Sequence, residues 1–288
     1  MADALDGDQY DREYNPRILV PEASQYFDEW RARGAAARAS SEFQPDIAYG
    51  TAANERLDFF PAGVSDPPLV VFIHGGYWRA LDKADFSWVA PGYVAAGCSV
   101  AVLNYGLAPA TPLVEIVNQV RRACAWLYGR AGDLQFDRDR IFVTGHSAGG
   151  HLTAMLLATD WPAWNRELPS RLIAGALAVS GLFDLEPLLR ASFLRADIRL
   201  NLEEQRQLSP VNLRPRNEAP LVLAVGALES AAFHGQSAAL ANRWPAVVQG
   251  PPFSIEGRNH FSVCDDFADS DGQLFGTMNA LVCGDRLP

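Results

Sequence analysis

Cysteine is scarce in this chain. The four present, Cys98, Cys124, Cys264 and Cys283, show no close spacing, which argues against a zinc knuckle or a disulfide framework and predicts reduced, mostly buried thiols. Positive charge is also short, with 24 Lys and Arg against 34 Asp and Glu. The basic residues cluster only briefly, at Arg31 to Arg38, Arg121-Arg122 and Arg214 to Arg216. A net charge of −10 with no basic stripe excludes nucleic acid and an anionic membrane surface as expected partners. Long apolar runs are missing, since Leu69 to Ile73, Val100 to Leu103 and Leu221 to Val225 are only strand length. The acidic opening Met1 to Asp8 lacks the basic flank and apolar centre of a secretory signal, so a cytoplasmic protein is expected. There is no internal repeat, low-complexity tract or long Pro/Gly/Ser linker, and no His and acid cluster with metal-ligand spacing. The expectation is one domain over 1–288, without metal or other cofactor.

What is present is apolar periodicity, in a chain that is 49% apolar and long enough for one large core. Residues Pro21 to Ser41 carry Tyr26, Phe27 and Trp30 among charges and alanines, and read as an amphipathic helix within an N-terminal helical arm, 1–45. Strand candidates follow at Arg56 to Phe60, Leu69 to Ile73, Ser99 to Asn104, Arg140 to Thr144, Ala174 to Ser180, Pro220 to Val225 and Phe253 to Glu256. Helical patterns fall between the later ones, at Asp82 to Ala96, Pro112 to Arg130, Ser147 to Thr159 and Ala231 to Arg243. Several strands are apolar throughout, which demands cover on both faces. The class is therefore α/β, a mostly parallel twisted sheet with helices on both sides. The irregular stretch Phe183 to Arg216 reads as a short cap insertion after a core strand.

Three strand exits carry candidate chemistry. Gly145-His146-Ser147-Ala148-Gly149 follows an apolar strand and opens a helix, so Ser147 sits at the apex of a sharp turn, where a nucleophile can be presented. His74-Gly75-Gly76-Tyr77-Trp78 follows Leu69 to Ile73. Its paired glycines let the N–H groups of Gly75 and Gly76 approach a substrate oxygen, and with the N–H of Ala148 they form a candidate oxyanion hole. Glu229, after the strand ending at Val225, and His260, after the last strand, complete the order serine, acid, histidine that such a sheet imposes. His260 is the candidate base and Glu229 the candidate acid. Asp184 is the rival carboxylate, with Asp265 a further alternative beside His260. The remaining histidines read as structural: His146 packing the turn, His151 buried with a hydrogen bond, His234 on a surface.

These residues resemble the arylformamidase (kynurenine formamidase-like) branch of the α/β-hydrolase superfamily. The resemblance rests on His74 to Trp78, Gly145 to His151, Ser180-Gly181-Leu182-Phe183-Asp184-Leu185 and the Glu229 and His260 loops, and spans nearly the whole chain from the N-terminal helix onward. Relatives commonly carry Asp where Glu229 stands. The resemblance implies the α/β-hydrolase fold and an acyl-enzyme mechanism. His260 takes the proton of Ser147, Glu229 supports the imidazolium, and a formyl group leaves an aromatic amine such as kynurenine. Tyr77 and Trp78 would then wall the aromatic leaving group, or else pack beneath the loop. The substrate class is a small acyl donor with an aromatic leaving group. Two other readings stand beside it: a broad short-chain carboxylesterase, and a catalytically silent scaffold that binds a small ligand. The oligomeric state stays open, a homodimer included.

Overall fold

A computed structural model describes residues 7–286, so the first six residues of the acidic opening lie outside the described residues. Eight strands form one sheet: β1 (Gln44–Ala48), β2 (Arg56–Phe60), β3 (Leu69–Ile73), β4 (Ser99–Leu103), β5 (Ile141–His146), β6 (Gly175–Val179), β7 (Leu221–Gly226) and β8 (Phe253–Ile255). Their spatial order is β1-β2-β4-β3-β5-β6-β7-β8. β2 pairs antiparallel with both neighbours, and every pairing from β4 through β8 is parallel. This is the expected α/β-hydrolase arrangement.

The five strands β3 to β7 are buried at every residue, as their unbroken apolar runs require. Side chains alternate across the sheet, so Leu69, Val71 and Ile73 of β3 enter one core while Val70 and Phe72 enter the other. The first core is shared with α1 (Gly7–Tyr14) and, further along the chain, with the helices over Leu113–Leu134, Ala148–Leu157 and Ala231–Arg243. The second takes Val20, just past α2 (Pro16–Leu19), then Trp30 of α3 (Ala23–Ser40) and Tyr93 of α4 (Ala90–Ala95), and the C-terminal helix Gln273–Cys283. Numbered in order, the remaining helices are α5 (Leu113–Leu134), α6 (Ala148–Leu157), α7 (Trp161–Trp164), α8 (Leu202–Gln207), α9 (Ala231–Arg243) and α10 (Gln273–Cys283).

Some boundaries differ from the sequence reading. The pattern from Asp82 to Ala96 divides into a 3-10 turn, Lys83–Val89, and α4, because Asp82 caps the first and Pro91 opens the second. Helix α5 runs on to Leu134, stopping where Gln135 turns left-handed. α1 and α2 lie within the expected helical arm but outside the helix read there, and β1, α7 and α10 carry no signal in the sequence reading; β1 is a mostly exposed edge strand with no apolar alternation to reveal it. The stretch 183–216 is a set of short pieces, Pro187–Leu189, α8 and Pro210–Asn212.

The topology places the chemistry. From β3 the chain moves to β4 on one side, and from β4 it crosses to β5 on the other, so the carboxyl ends of β3 and β5 flank a crevice. Register sets Ile73 beside Gly145 and His146 beside Val179, bringing the Gly75-Gly76 turn, Ser147 and Ser180 to one rim.

Candidate active site

Ser147 leaves β5 with φ 56° and ψ −116°, a conformation L-residues avoid, and its N–H is held by Val179 O at 2.9 Å. The strain projects the side chain above the sheet. It is possible because α6 starts directly against β3: a Cβ on Gly149 would stand 1.9 Å from Ile73 O, so only glycine allows the helix that close.

His260 reaches the serine from the loop after β8. Its Nε2 lies 3.1 Å from Ser147 Oγ and its Nδ1 2.6 Å from Glu229 Oε2. The carboxylate accepts from Nδ1–H, which leaves Nε2 as acceptor for the serine hydroxyl. The loop is fixed by its own backbone, Asn259 Oδ1 accepting from Phe261 N at 2.9 Å and Ser262 N at 2.8 Å. Phe233 covers the imidazole, ring centroid 4.4 Å away.

Glu229 is the carboxylate at His260. Its side chain is fully buried, and Oε1 accepts from Ser180 Oγ at 2.5 Å and from Gly226 N at 2.7 Å. A buried anion thus has three donors, two for Oε1 and His260 for Oε2, which offsets the cost of removing it from water. The rival Asp184 is turned to its own segment, Oδ1 accepting from Glu186 N at 3.0 Å, and Asp265 is paired with Arg33 at 2.6 Å. Neither touches the imidazole. Ser180 opens the motif Ser180 to Leu185, but that its hydroxyl holds Glu229 is a contact across 49 residues that no local pattern signals.

The Gly75-Gly76 turn lies against the serine: a Cβ on Gly75 would stand 3.2 Å from Ser147 Cβ. Gly76 has φ +100°, and a Cβ there would meet Ala80 O at 2.3 Å. Among the described residues, the N–H groups of Gly75, Gly76 and Ala148 donate to no protein acceptor. His74 anchors the turn from below, its ring stacked 4.3 Å over Tyr105, its Nδ1 2.8 Å from Gly75 O and its Nε2 3.1 Å from Asn104 Oδ1; burial lowers its pKa.

Ser147 and His260 open into a cavity of about 160 Å³. Its walls are aromatic: Phe27 and Trp30 of α3, Tyr77, Phe193 of the 183–216 insertion, and Phe261. Tyr77 lines it, with its hydroxyl donating to Tyr14 O of α1. Trp78 does not. It is fully buried beneath the turn, edge-on to His151 at 5.0 Å, because two successive left-handed residues, φ 50° and 56°, send the neighbouring side chains to different places. Phe193 lies in the irregular stretch 183–216, where no periodicity in the sequence marks it. Asn15, Pro16 and Arg17, in and just before α2, complete the roof.

His146 does more than pack the turn, lining the cavity with its ring 4.6 Å from that of His260. Burial, and then the charge of His260, hold its imidazole well below the usual histidine range. His151 is buried with Nε2 on Leu208 O at 2.7 Å, as predicted, and burial brings its pKa down to about 4. His234 is half-buried on α9. Among the described residues no group of three or more His, Cys, Asp or Glu could hold a metal ion, and no helix is long and apolar enough to cross a membrane.

A family model described as BD-FAE matches residues 57–171. Kynurenine formamidase of Salmo salar is 30% identical over 248 residues, covering 83% of this chain and 81% of that protein. Kynurenine formamidase of Danio rerio is 28% identical over 283 residues, covering 93% and 94%. Among solved structures, a candidate thioesterase from Silicibacter sp. TM1040 superposes with TM-score 0.82 at 30% identity, over 96% of this chain and 99% of that one. An esterase from Pyrobaculum calidifontis, at 18% identity and TM-score 0.69 over 91% and 92%, shares the fold. The chain is a hydrolase and belongs to the kynurenine formamidase branch of the α/β-hydrolase superfamily.

Proposed function

We propose that this hydrolase removes the formyl group of an aryl formamide such as N-formylkynurenine through a formyl-enzyme on Ser147. The observation that carries the reading is the line from Glu229 through His260 to Ser147, at 2.6 and 3.1 Å, opening into an aromatic cavity. His260 Nε2 takes the proton of Ser147 Oγ as that oxygen attacks the formyl carbon, and Glu229 stabilises the imidazolium. The N–H groups of Gly75, Gly76 and Ala148 receive the oxyanion. An arylamine leaves poorly as an anion, so His260 returns the proton to its nitrogen as the C–N bond breaks. Water, deprotonated by the same imidazole, then attacks the formyl ester and formate leaves with Ser147 restored. Tyr77 stands at the ring of the leaving group, and Ser180 holds Glu229 in place. The four cysteines are free thiols, three of them buried, which suits a reducing, cytoplasmic setting.

Side-by-side turnover of N-formylkynurenine and p-nitrophenyl acetate tests the reading, with a fluorophosphonate probe reporting the nucleophile. The formamide is hydrolysed, and Ser147→Ala loses the adduct and about 10⁴-fold in kcat/KM while remaining folded. Turnover of the ester alone would replace the formamidase reading with that of a short-chain carboxylesterase.

A further inference from the structure

The charge of the cavity wall is opposite to that of the protein. Asp and Glu outnumber Lys and Arg by 34 to 24 over the chain, yet the residues lining the cavity above Ser147 include Arg17 and Arg79 and no Asp or Glu. A protein with net charge −10 repels anions at long range, so a cationic wall here is a local feature.

The two arginines differ. Arg79 is committed: its guanidinium pairs with Asp197 and donates to Phe193 O at 2.7 Å, tying the glycine turn to the insertion. Arg17 is exposed, and among the described residues no carboxylate pairs with it. Glu13, four residues earlier on α1, is engaged elsewhere, its Oε2 accepting from Ala232 N at 3.0 Å. Some exposed arginines find local acids, as Arg31 does with Asp28 and Arg190 with Glu186, and others, such as Arg206 and Arg214, do not; what sets Arg17 apart is its place in the cavity wall. The Arg17 backbone is nonetheless fixed, its N–H donating to Asn15 Oδ1 at 3.2 Å behind Pro16. Its guanidinium rests 4.9 Å from the ring centroid of Phe27, itself part of the cavity wall. A cation–π contact of this kind directs the group without neutralising it, leaving the planar fork of donors for a ligand.

The geometry points to Arg17 as the residue that selects for a carboxylate on the leaving group of the acyl donor. This rests on the reading of Ser147 as nucleophile, with the acyl carbon at the serine and the leaving-group ring among Phe27, Tyr77 and Phe193. A carboxylate beyond that ring meets the guanidinium at the cavity mouth, where a bidentate pair forms with its counterpart only partly desolvated. The effect belongs in KM, because the pair is made equally in the ground and transition states.

The test compares 3-formamidobenzoate with the neutral 3-formamidobenzamide, and 3-acetoxybenzoate with 3-acetoxybenzamide. The wild-type enzyme favours the carboxylate of each pair about tenfold in kcat/KM, expressed in KM, and added salt erodes that preference. Arg17→Gln brings the ratio close to one with an unchanged melting temperature, and Arg17→Lys, a point charge without the fork, retains part of it. A wild-type enzyme indifferent to the carboxylate, or an Arg17→Gln variant that keeps the preference, overturns the assignment. Failure of both formamides with turnover of the esters sinks the formamidase reading alone, since the ester pair still decides the role of Arg17.

Discussion

The rim of the sheet and the roof above it are built in different ways. At the rim, Ser147, Glu229 and His260 stand one turn or loop beyond parallel strands, and they are held by backbone groups or buried hydroxyls such as Val179 O, Gly226 N, Ser180 Oγ and the Asn259 turn. The roof, made by α1 to α3 and the 183–216 insertion, contributes aromatic faces. It is stitched by side chains across long stretches of sequence: Asp11 to Ser192, Tyr77 to Tyr14, Ser230 to Glu13. The difference separates reaction from selection. In the proposed reaction the over-determined rim groups are the ones that meet the reacting atoms, whereas the roof groups shape the space around the leaving group and rest on contacts worth about 1 kcal/mol each. Changes at the rim should therefore act on kcat, and changes at the roof on KM.

The sharpest way to break that division is Glu229→Gln. The amide keeps the shape but removes the charge that supports the imidazolium and the acceptor that fixes its tautomer, so kcat falls about 10³-fold, or ~4 kcal/mol, at nearly constant KM. Steady-state kinetics with a circular dichroism control of folding decides it. A rise in KM of comparable size would mean that the two regions are not separable.

The rim was legible in the sequence because its constraints are local. An all-apolar strand, a turn with glycine where a helix meets the neighbouring strand, and the chain order of strand exits can all be read without coordinates. The choice between Glu229 and Asp184 could not, since both follow parallel strands and only the turn Gly226–Glu229 aims one of them at His260. The roof was legible only in part. Phe27 and Trp30 announced themselves on an amphipathic helix, but Phe193 lies in a stretch without periodicity, beside Ser192, which is tied to Asp11 across 181 residues of chain. Trp78 shows the same limit at close range: adjacent to Tyr77 in sequence, it is turned into the core by backbone angles that sequence pattern does not carry.

His151 joins the two regions, lying on α6 behind the serine and hydrogen-bonding Leu208 O of the insertion. Its folded pKa of about 4 lies below the ordinary 6.5, so between these values the unfolded chain binds the proton that the folded chain refuses. Stability is full above pH 6.5 and declines as pH falls, with about 3 kcal/mol lost from this group by pH 4. His74 and His146, also lowered by burial, act in the same direction. Urea denaturation between pH 7 and 5 measures the slope, and His151→Gln, which keeps a donor but does not titrate, makes it shallower. An unchanged slope would assign the acid sensitivity to other groups.

Ser180→Ala tests whether over-determination at the rim matters. Gly226 N still holds Glu229 Oε1 after the hydroxyl is removed, so the carboxylate stays near His260 with one donor fewer. The expected loss is about tenfold in kcat, ~1.4 kcal/mol. The melting temperature is expected to change little, and a fall in kcat that comes with a large loss of stability would point instead to a packing defect at β6.

The smallest effect is expected where the roof is sewn together. Asp11 of α1 accepts from Ser192 N at 2.6 Å and from Ser192 Oγ, immediately before Phe193, and the residues concerned are exposed to water. Asp11→Ala removes both bonds, but water can satisfy the freed donors, so the net cost is about 0.5–1 kcal/mol. Because Phe193 touches the leaving-group space and not the reacting carbon, the cost appears as a two- to fivefold rise in KM, of the size expected from such an energy, with kcat unchanged. The rise should be larger for a formamide with an aromatic leaving group than for one with a small aliphatic leaving group, since only the former meets Phe193. Equal rises for both would show that the tie between arm and insertion serves the fold generally and that selection lies elsewhere on the roof.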